Sequence, residues 1–211
     1  MNKFKIKKNE NGLYVDDENV FFYFYSEDGD PFVEDRAVVR NVKDDTFGHI
    51  DREGNVTTPI IYKFATNFSE GLASVTRDVD YKRGYVDKDG KVVIPFEYES
   101  CGSFKNGIAV VVKNSFEGVI NKKNEFILKP EYEEIIVFKN NDVILAKKRK
   151  FGVYDLSGRQ LLPHIFDDLK KNGSVVKLKF KDHFIDLNVF NSKKIISNMS
   201  KRQLLRHVFE S

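Results

Sequence analysis

The stretch RGYVDKDGKVVIPFEYESCGSFKNGIAVVVK, residues 83–113, decides the fold, because the remaining chain is read by laying it on these residues. Gly84 to Val86 form a short apolar run that ends at Asp87. Asp87-Lys88-Asp89-Gly90 has the residues of a type I turn. Its first Asp can cap the turn, and its Gly takes φ > 0 without a Cβ clash. The pattern predicts a three-residue hairpin loop closing in a bulge. Lys91–Ile94 is the returning strand, and Pro95, with no N–H for a ladder, is expected to stop it. Asn106-Gly107 is a second turn signal, and the largely β-branched run Ile108–Val112 follows. No helical period fits, so the unit is built of hairpins.

The same signals recur. With Gly84 as the anchor, the others are Leu13, Gly48, Gly118, Gly152 and His183, spaced by 35, 36, 34, 34 and 31 residues. Three residues past the anchors stand Asp16, Asp51, Asp87, Asn121, Asp155 and Asp186. Six past them stand Asn19, Gly54, Gly90, Asn124, Gly158 and, breaking the pattern, Val189. Asn is the next best residue at φ > 0, so its use in place of Gly keeps the turn. Fourteen past the glycine anchors come Tyr62, Tyr98, Tyr132 and Phe166; twenty past come Phe68, Phe104 and Phe138, with Asn172 failing. Agreement at this many typed positions marks a tandem repeat. No Pro- or Ser-rich linker separates the copies, so residues 1–211 are expected to form a single all-β domain of about six stacked units. An open, curved, solenoid-like array is expected, with a small closed propeller as the alternative, its blades short against the usual length. Val20–Tyr25, the most apolar run, reads as a buried strand of the first copy or as an exposed aromatic strip. Ser200 can cap a short amphipathic helix over about 200–210, with Leu204, Leu205, Val208 and Phe209 on one face.

Composition narrows the function. The chain has 41% hydrophobic and 13% aromatic residues, which argues against disorder. Its single Cys excludes an internal disulfide framework. Cys101 stands where Ala65, Ile135 and Leu169 stand, as a small core residue would. The N-terminus has charge without an apolar signal segment, and no run is long enough to span a membrane, so a cytoplasmic location is expected. His49 replaces Tyr85 and Val119 in the repeat, and His164 replaces Phe96, so both read as repeat substitutions. No Cys or His pair has zinc spacing, no glycine-rich phosphate loop occurs, and no nucleophile–base pair is marked. No enzyme activity, metal, cofactor or small-molecule substrate is expected.

Charge has a direction. Residues 1–45 carry net −4, residues 46–120 net −1 and residues 121–211 net +8. The basic third holds Lys147, Lys148, Arg149 and Lys150 at one turn, and Lys177, Lys179 and Lys181 alternating with Leu178 and Phe180. Alternation places the three lysines on one strand face. They protect a sheet edge, or they form with the turn a site for an acidic partner. A protein with an acidic surface is the expected partner. The alternative is nucleic acid, disfavoured because Leu178 and Phe180 point away from the lysines that would hold its phosphates.

Gly-Tyr-Val-Asp-Lys-Asp-Gly-Lys-Val-Val-Ile-Pro (84–95) and Phe-Ser-Glu-Gly-Leu-Ala (68–73) resemble the WG, or KWG, repeat. That family's pattern runs Lys-Trp-Gly-Tyr-Ile-Asp, a turn, Lys-Val-Ile-Pro, an aromatic, then Phe-Ser-Glu-Gly-Leu-Ala. The chain lacks the Trp, whose position holds Phe47, Arg83, Glu117 and Phe151. In the third copy Phe116 is expected to take over its packing. The resemblance implies a bacterial β-rich scaffold without a common catalytic activity: a protein-binding module that regulates or inhibits a larger bacterial or phage-targeted complex.

Overall fold

The computed structural model describes residues 3–9, 12–15, 20–22, 30–138, 143–172 and 175–186. Every regular element among them is a β-strand. A hairpin of Ile6–Asn9 and Gly12–Val15 comes first. Five small antiparallel sheets follow in tandem, none closed. The first holds Val20–Phe22, Ala37–Asn41, Thr46–Ile50 and Val56–Tyr62. The second holds Phe64–Ala65, Leu72–Thr76, Arg83–Asp87 and Val92–Tyr98. The third holds Ser100–Cys101, Ile108–Lys113, Phe116–Asn121 and Phe126–Tyr132. The fourth holds Glu134–Phe138, Val143–Lys148, Lys150–Asp155 and Gln160–Phe166. The fifth holds Asp168–Asn172, Val175–Phe180 and His183–Asp186. In each, strands pair in chain order as a simple meander. The chain divides into two compact units, residues 1–114 with 121–124, and residues 115–120 with 125–211. Residues 23–25 of the early apolar run and the expected helix over 200–210 lie outside the described residues.

Sequence repeat and sheet are out of phase. Residues 83–113 supply the last two strands of the second sheet and the first two of the third. One residue joins successive sheets: Lys63, Glu99, Glu133 or Asp167.

Pro95 does not stop its strand. Val92–Tyr98 runs through it, because this is an edge strand and Pro95 falls in a register shift. Ile94 pairs with Tyr85, and the next pair is Tyr98 with Arg83, so Pro95–Glu97 bulge out of the ladder. The bulge presses the backbone onto the anchor glycine. A Cβ on Gly84 would lie 2.4 Å from the Ile94 carbonyl oxygen, and one on Gly48 would lie 2.5 Å from that of Thr58. The anchor Gly is thus a close-approach residue inside a strand, not a turn residue.

The predicted hairpin loop is present. The Gly90 amide donates to the Asp87 carbonyl (2.9 Å), and the Asp87 amide to that of Lys91 (3.0 Å). Asp87 Oδ1 accepts the amides of Asp89 and Lys91, at 3.1 and 2.9 Å, and Gly90 has φ +77°. Asp51 and Asp155 repeat this capping, and Asn121–Asn124 keeps it with Asn124 at φ +64°. The aromatic positions form the cores. Phe68, Phe104, Tyr98 and Phe166 are fully buried, and Tyr62, Phe68, Ala73, Val75 and Val86 share one cluster of the first unit. In the second unit Leu145, Val153, Leu162, Phe166 and Leu178 form another.

Candidate functional site

Among the described residues, many polar side chains hold the repeat together. The Phe-x-x-Gly segments 68–71 and 104–107, and their counterpart 32–35 with Asp in place of Gly, make tight turns with two left-handed residues: Glu34 and Asp35, Glu70 and Gly71, Asn106 and Gly107. The carboxylate of one turn caps the next. Glu34 accepts the amides of Glu70 and Gly71 at 2.6 and 2.9 Å, and Glu70 accepts that of Gly107 at 2.9 Å. Lys88 and Lys122 close on the same carboxylates, at 3.4 and 3.1 Å. Burial opposes ionisation of Glu70, but the Gly107 amide, the Lys122 ammonium and the Asn106 amide outweigh it and hold the carboxyl below its ordinary pKa. The sequence carried this ladder as the Glu of Phe-Ser-Glu-Gly; its partner is a backbone amide one copy away, which residue types alone do not reveal.

A second set of carboxylates, in the one-residue links, caps the hairpin tips between the two middle strands. Glu99 accepts the amide of Asn114 (2.9 Å), Glu133 that of Arg149 (3.0 Å) and Asp167 that of Lys181 (3.4 Å). Each amide belongs to a residue at positive φ. Charge on the acceptor strengthens such bonds, which helps hold non-glycine residues in the left-handed region.

This arrangement absorbs much of the basic run. Lys148 pairs with Glu131 at 2.6 Å and lies 4.8 Å from the Tyr132 ring. Lys150 pairs with Asp167 at 2.7 Å. Lys147 lies opposite Glu134 in register and 5.6 Å from the Phe151 ring. Arg149 alone forms the connection, at φ +64°, between the paired residues Lys148 and Lys150. The two basic groups meet at Asp167: Lys150 bonds it, Lys179 acts on it through charge, and both hold its carboxyl below the ordinary range. Lys177 is exposed and faces Asp186 in register; Lys179 faces Asp168 and Phe184. Lys181 is not on the strand face, because the strand ends at Phe180 and Lys181 turns the chain at φ +53°. Leu178 is buried and Phe180 packs against the core cluster, as alternation requires. Phe184 is 39% exposed on the lysine face, with the Lys170 ammonium 4.5 Å from its ring.

The reactive-looking groups sit in cores. Cys101 is buried opposite Val111, and burial pushes its thiol up to about 12. His49 and Tyr85 do the same work one copy apart. His49 Nε2 bonds the Thr66 carbonyl (2.9 Å) and its ring lies 4.7 Å from Phe68; the Tyr85 hydroxyl donates to Gly102 (2.6 Å) and its ring lies 4.8 Å from Phe104. His164, in place of Phe96, bonds the Tyr154 hydroxyl through Nε2 (2.8 Å) and the Lys150 carbonyl through Nδ1 (2.9 Å). Among the described residues no group of three or more His, Cys, Asp or Glu is placed to hold a metal. At the Trp position Phe47 and Phe151 are buried, while Phe116 is 45% exposed and does not replace the missing ring; Glu117 instead takes the Ile135 amide.

One hairpin tip differs from the rest in the side chains it exposes. Between Arg77 and Lys82, joined by a 2.9 Å backbone bond, stand Asp78-Val79-Asp80-Tyr81. Val79 is 84% exposed and Tyr81 66%. In the sequence this segment shows only as the longest anchor spacing, 36 residues, between Gly48 and Gly84.

The pattern of the WG containing repeat matches residues 47–78, 84–115 and 118–150. The capped turn at Asp155 and the bulged pairing of Lys150–Asp155 with Gln160–Phe166 carry the same geometry beyond the matched stretches. No curated protein matches the chain.

Proposed function

We propose, for a chain that carries WG repeats across residues 47–150, a non-enzymatic protein-binding scaffold. One observation carries this reading: side chains shared between copies point inward or cap backbone, whereas the tips between the middle strands vary in length and chemistry. Asn114-Ser115, Arg149, Lys181-Asp182 and Asp78–Tyr81 occupy equivalent places. A fixed frame bearing variable tips suits recognition. The partner presents an acidic surface to Lys147, Lys148, Arg149, Lys150, Lys177, Lys179 and Lys181, and the protein regulates or inhibits a larger bacterial assembly from the cytoplasm. The copies stack as an open, curved array; solution scattering showing a compact disc with a central depression would sink that arrangement.

Affinity capture from a bacterial lysate, with and without nuclease, tests the function. Retained protein partners support the scaffold. Replacing Lys147, Lys148, Arg149 and Lys150 by Ser should leave folding intact, since exposed pairs contribute about 0–1 kcal/mol each. It should weaken binding and flatten its salt dependence. Unchanged affinity at low salt would remove the turn from the interface. Partners lost after nuclease favour the second reading, a nucleic-acid-binding module. Phe184 is the observation for it, an exposed ring on the face of Lys177 and Lys179 that a base could stack on.

A further inference from the structure

The tip Arg77–Lys82 has three properties that do not follow from holding its sheet together. It is longer than the tips of the third and fourth sheets, where two left-handed residues, Asn114 and Ser115, and Arg149 alone make the connection; the first sheet's tip 42–45 matches its length but carries Lys43 and Asp45 where Val79 and Tyr81 stand. It is rigid: Arg77 clasps Asp80 with both Nε (3.1 Å) and Nη2 (2.5 Å), and Asp80 also takes the Lys82 amide (3.2 Å). Tyr81 is held at φ +56°, a conformation that L side chains, and bulky ones above all, seldom adopt.

The charges of the tip are spent at home. Arg77 answers Asp80, Lys63 approaches Asp78 at 3.5 Å, and Lys82 approaches Glu99 at 3.7 Å. The tip therefore offers no net charge. It offers two of the most exposed large apolar side chains among the described residues, Val79 and Tyr81. Tyr is over-represented among the residues that dominate binding energies, and a loop already fixed in shape loses little entropy on docking.

We infer that the tip Asp78–Tyr81 is a preformed protein-docking knob whose partner supplies an uncharged, concave apolar pocket for Val79 and Tyr81. This deepens the scaffold reading and rests on it, but it assigns a surface distinct from the basic third and a contact of different chemistry. A charge-steered contact weakens with salt; one made by burying Val79 and Tyr81 does not.

Site-specific photocrosslinking tests it, with benzoylphenylalanine at position 79 of the full chain, irradiated in a lysate of its source cells, and at position 147 for comparison. The expected result is a protein adduct at position 79 unaffected by 0.5 M salt (roughly a 4 Å Debye length). It should be lost in the Tyr81→Ser background and competed away by a cyclised peptide of residues 76–83. An adduct at 147 with none at 79 overturns the knob and leaves the scaffold standing; none at either overturns both. An adduct at 79 that persists without Tyr81, vanishes in salt, or contains lipid or nucleic acid overturns the knob. A partner-free arm reads the strain: Tyr81→Asn should melt no lower than the parent, since Asn tolerates the left-handed region. A lower melting temperature would make Tyr81 a packing residue and overturn the inference.

Discussion

The second sheet holds two hairpins that solve the same problem in opposite ways. At Asp87–Lys91 every polar group is turned inward: one carboxylate takes two amides, and a glycine provides the positive φ. At Arg77–Lys82 the polar groups also close on themselves, yet a valine and a tyrosine are left in solvent, and a bulky residue takes the strained conformation. The first hairpin recurs near Asp51, Asn121 and Asp155; the second shares its length and its left-handed fourth residue with tip 42–45 of the first sheet, but its exposed Val79 and Tyr81 stand where that tip has Lys43 and Asp45. Recurrence marks what the frame needs, and singularity marks what the frame is free to carry.

Substitutions grade that contrast. The largest effect is expected at the anchor. Gly84→Val puts a branched side chain where even a Cβ meets the Ile94 carbonyl at 2.4 Å. We expect a loss above about 4 kcal/mol, the range reserved for core disruption, read as a collapsed midpoint in denaturant unfolding. A parent-like midpoint would mean that the bulge is not shared by necessity.

Next comes His49. Burial lowers its pKa from 6.5 to about 4, only partly offset by the bond to the Thr66 carbonyl. The unfolded chain then binds a proton near 6.5 that the folded chain refuses until about 4, so stability falls as pH drops through that window. The loss is on the order of 3 kcal/mol by pH 4. His49→Tyr, which installs the residue of the following copy, should flatten this part of the profile in pH-dependent melting. If the profile keeps its shape, the two residues are not equivalent.

Gly90→Val follows, at about 1–3 kcal/mol for the left-handed backbone and more for the Thr57 carbonyl, which a Cβ would approach to 2.3 Å. Glu70→Gln should cost less, about 1 kcal/mol, because the capped amides stay near water. Its cost should shrink as pH falls below the ordinary carboxyl range and through the lowered pKa of Glu70, where the carboxylate loses its charge. A pH-independent cost would show that the turn ladder does not depend on charge.

The hairpin loops were legible in the sequence because Asp and Gly act within a few residues of themselves. The aromatic core positions were legible because one face of a repeat recurs. The bulge was not: Pro95 reads as a stop unless the strand is known to lie at an edge. The basic run read as a surplus because its carboxylates, Glu131, Glu133 and Asp167, come from the strand end and links 14–17 residues away. Half of the C-terminal surplus, net +4, belongs to residues 187–211. The apolar tip escaped notice because Val79 and Tyr81 belong to no pattern.

The contrast between frame and tip meets its most direct measurement in a loop exchange. Replacing Asp78-Val79-Asp80-Tyr81 by Asn-Ser gives the second sheet the connection that the third sheet has. Thermal melting should show the same cooperative transition, with a midpoint within about 4 °C of the parent, the shift that roughly 1 kcal/mol produces at this chain length. A chain that unfolds early or loses cooperativity would show that the tip is part of the frame, and would contradict the account.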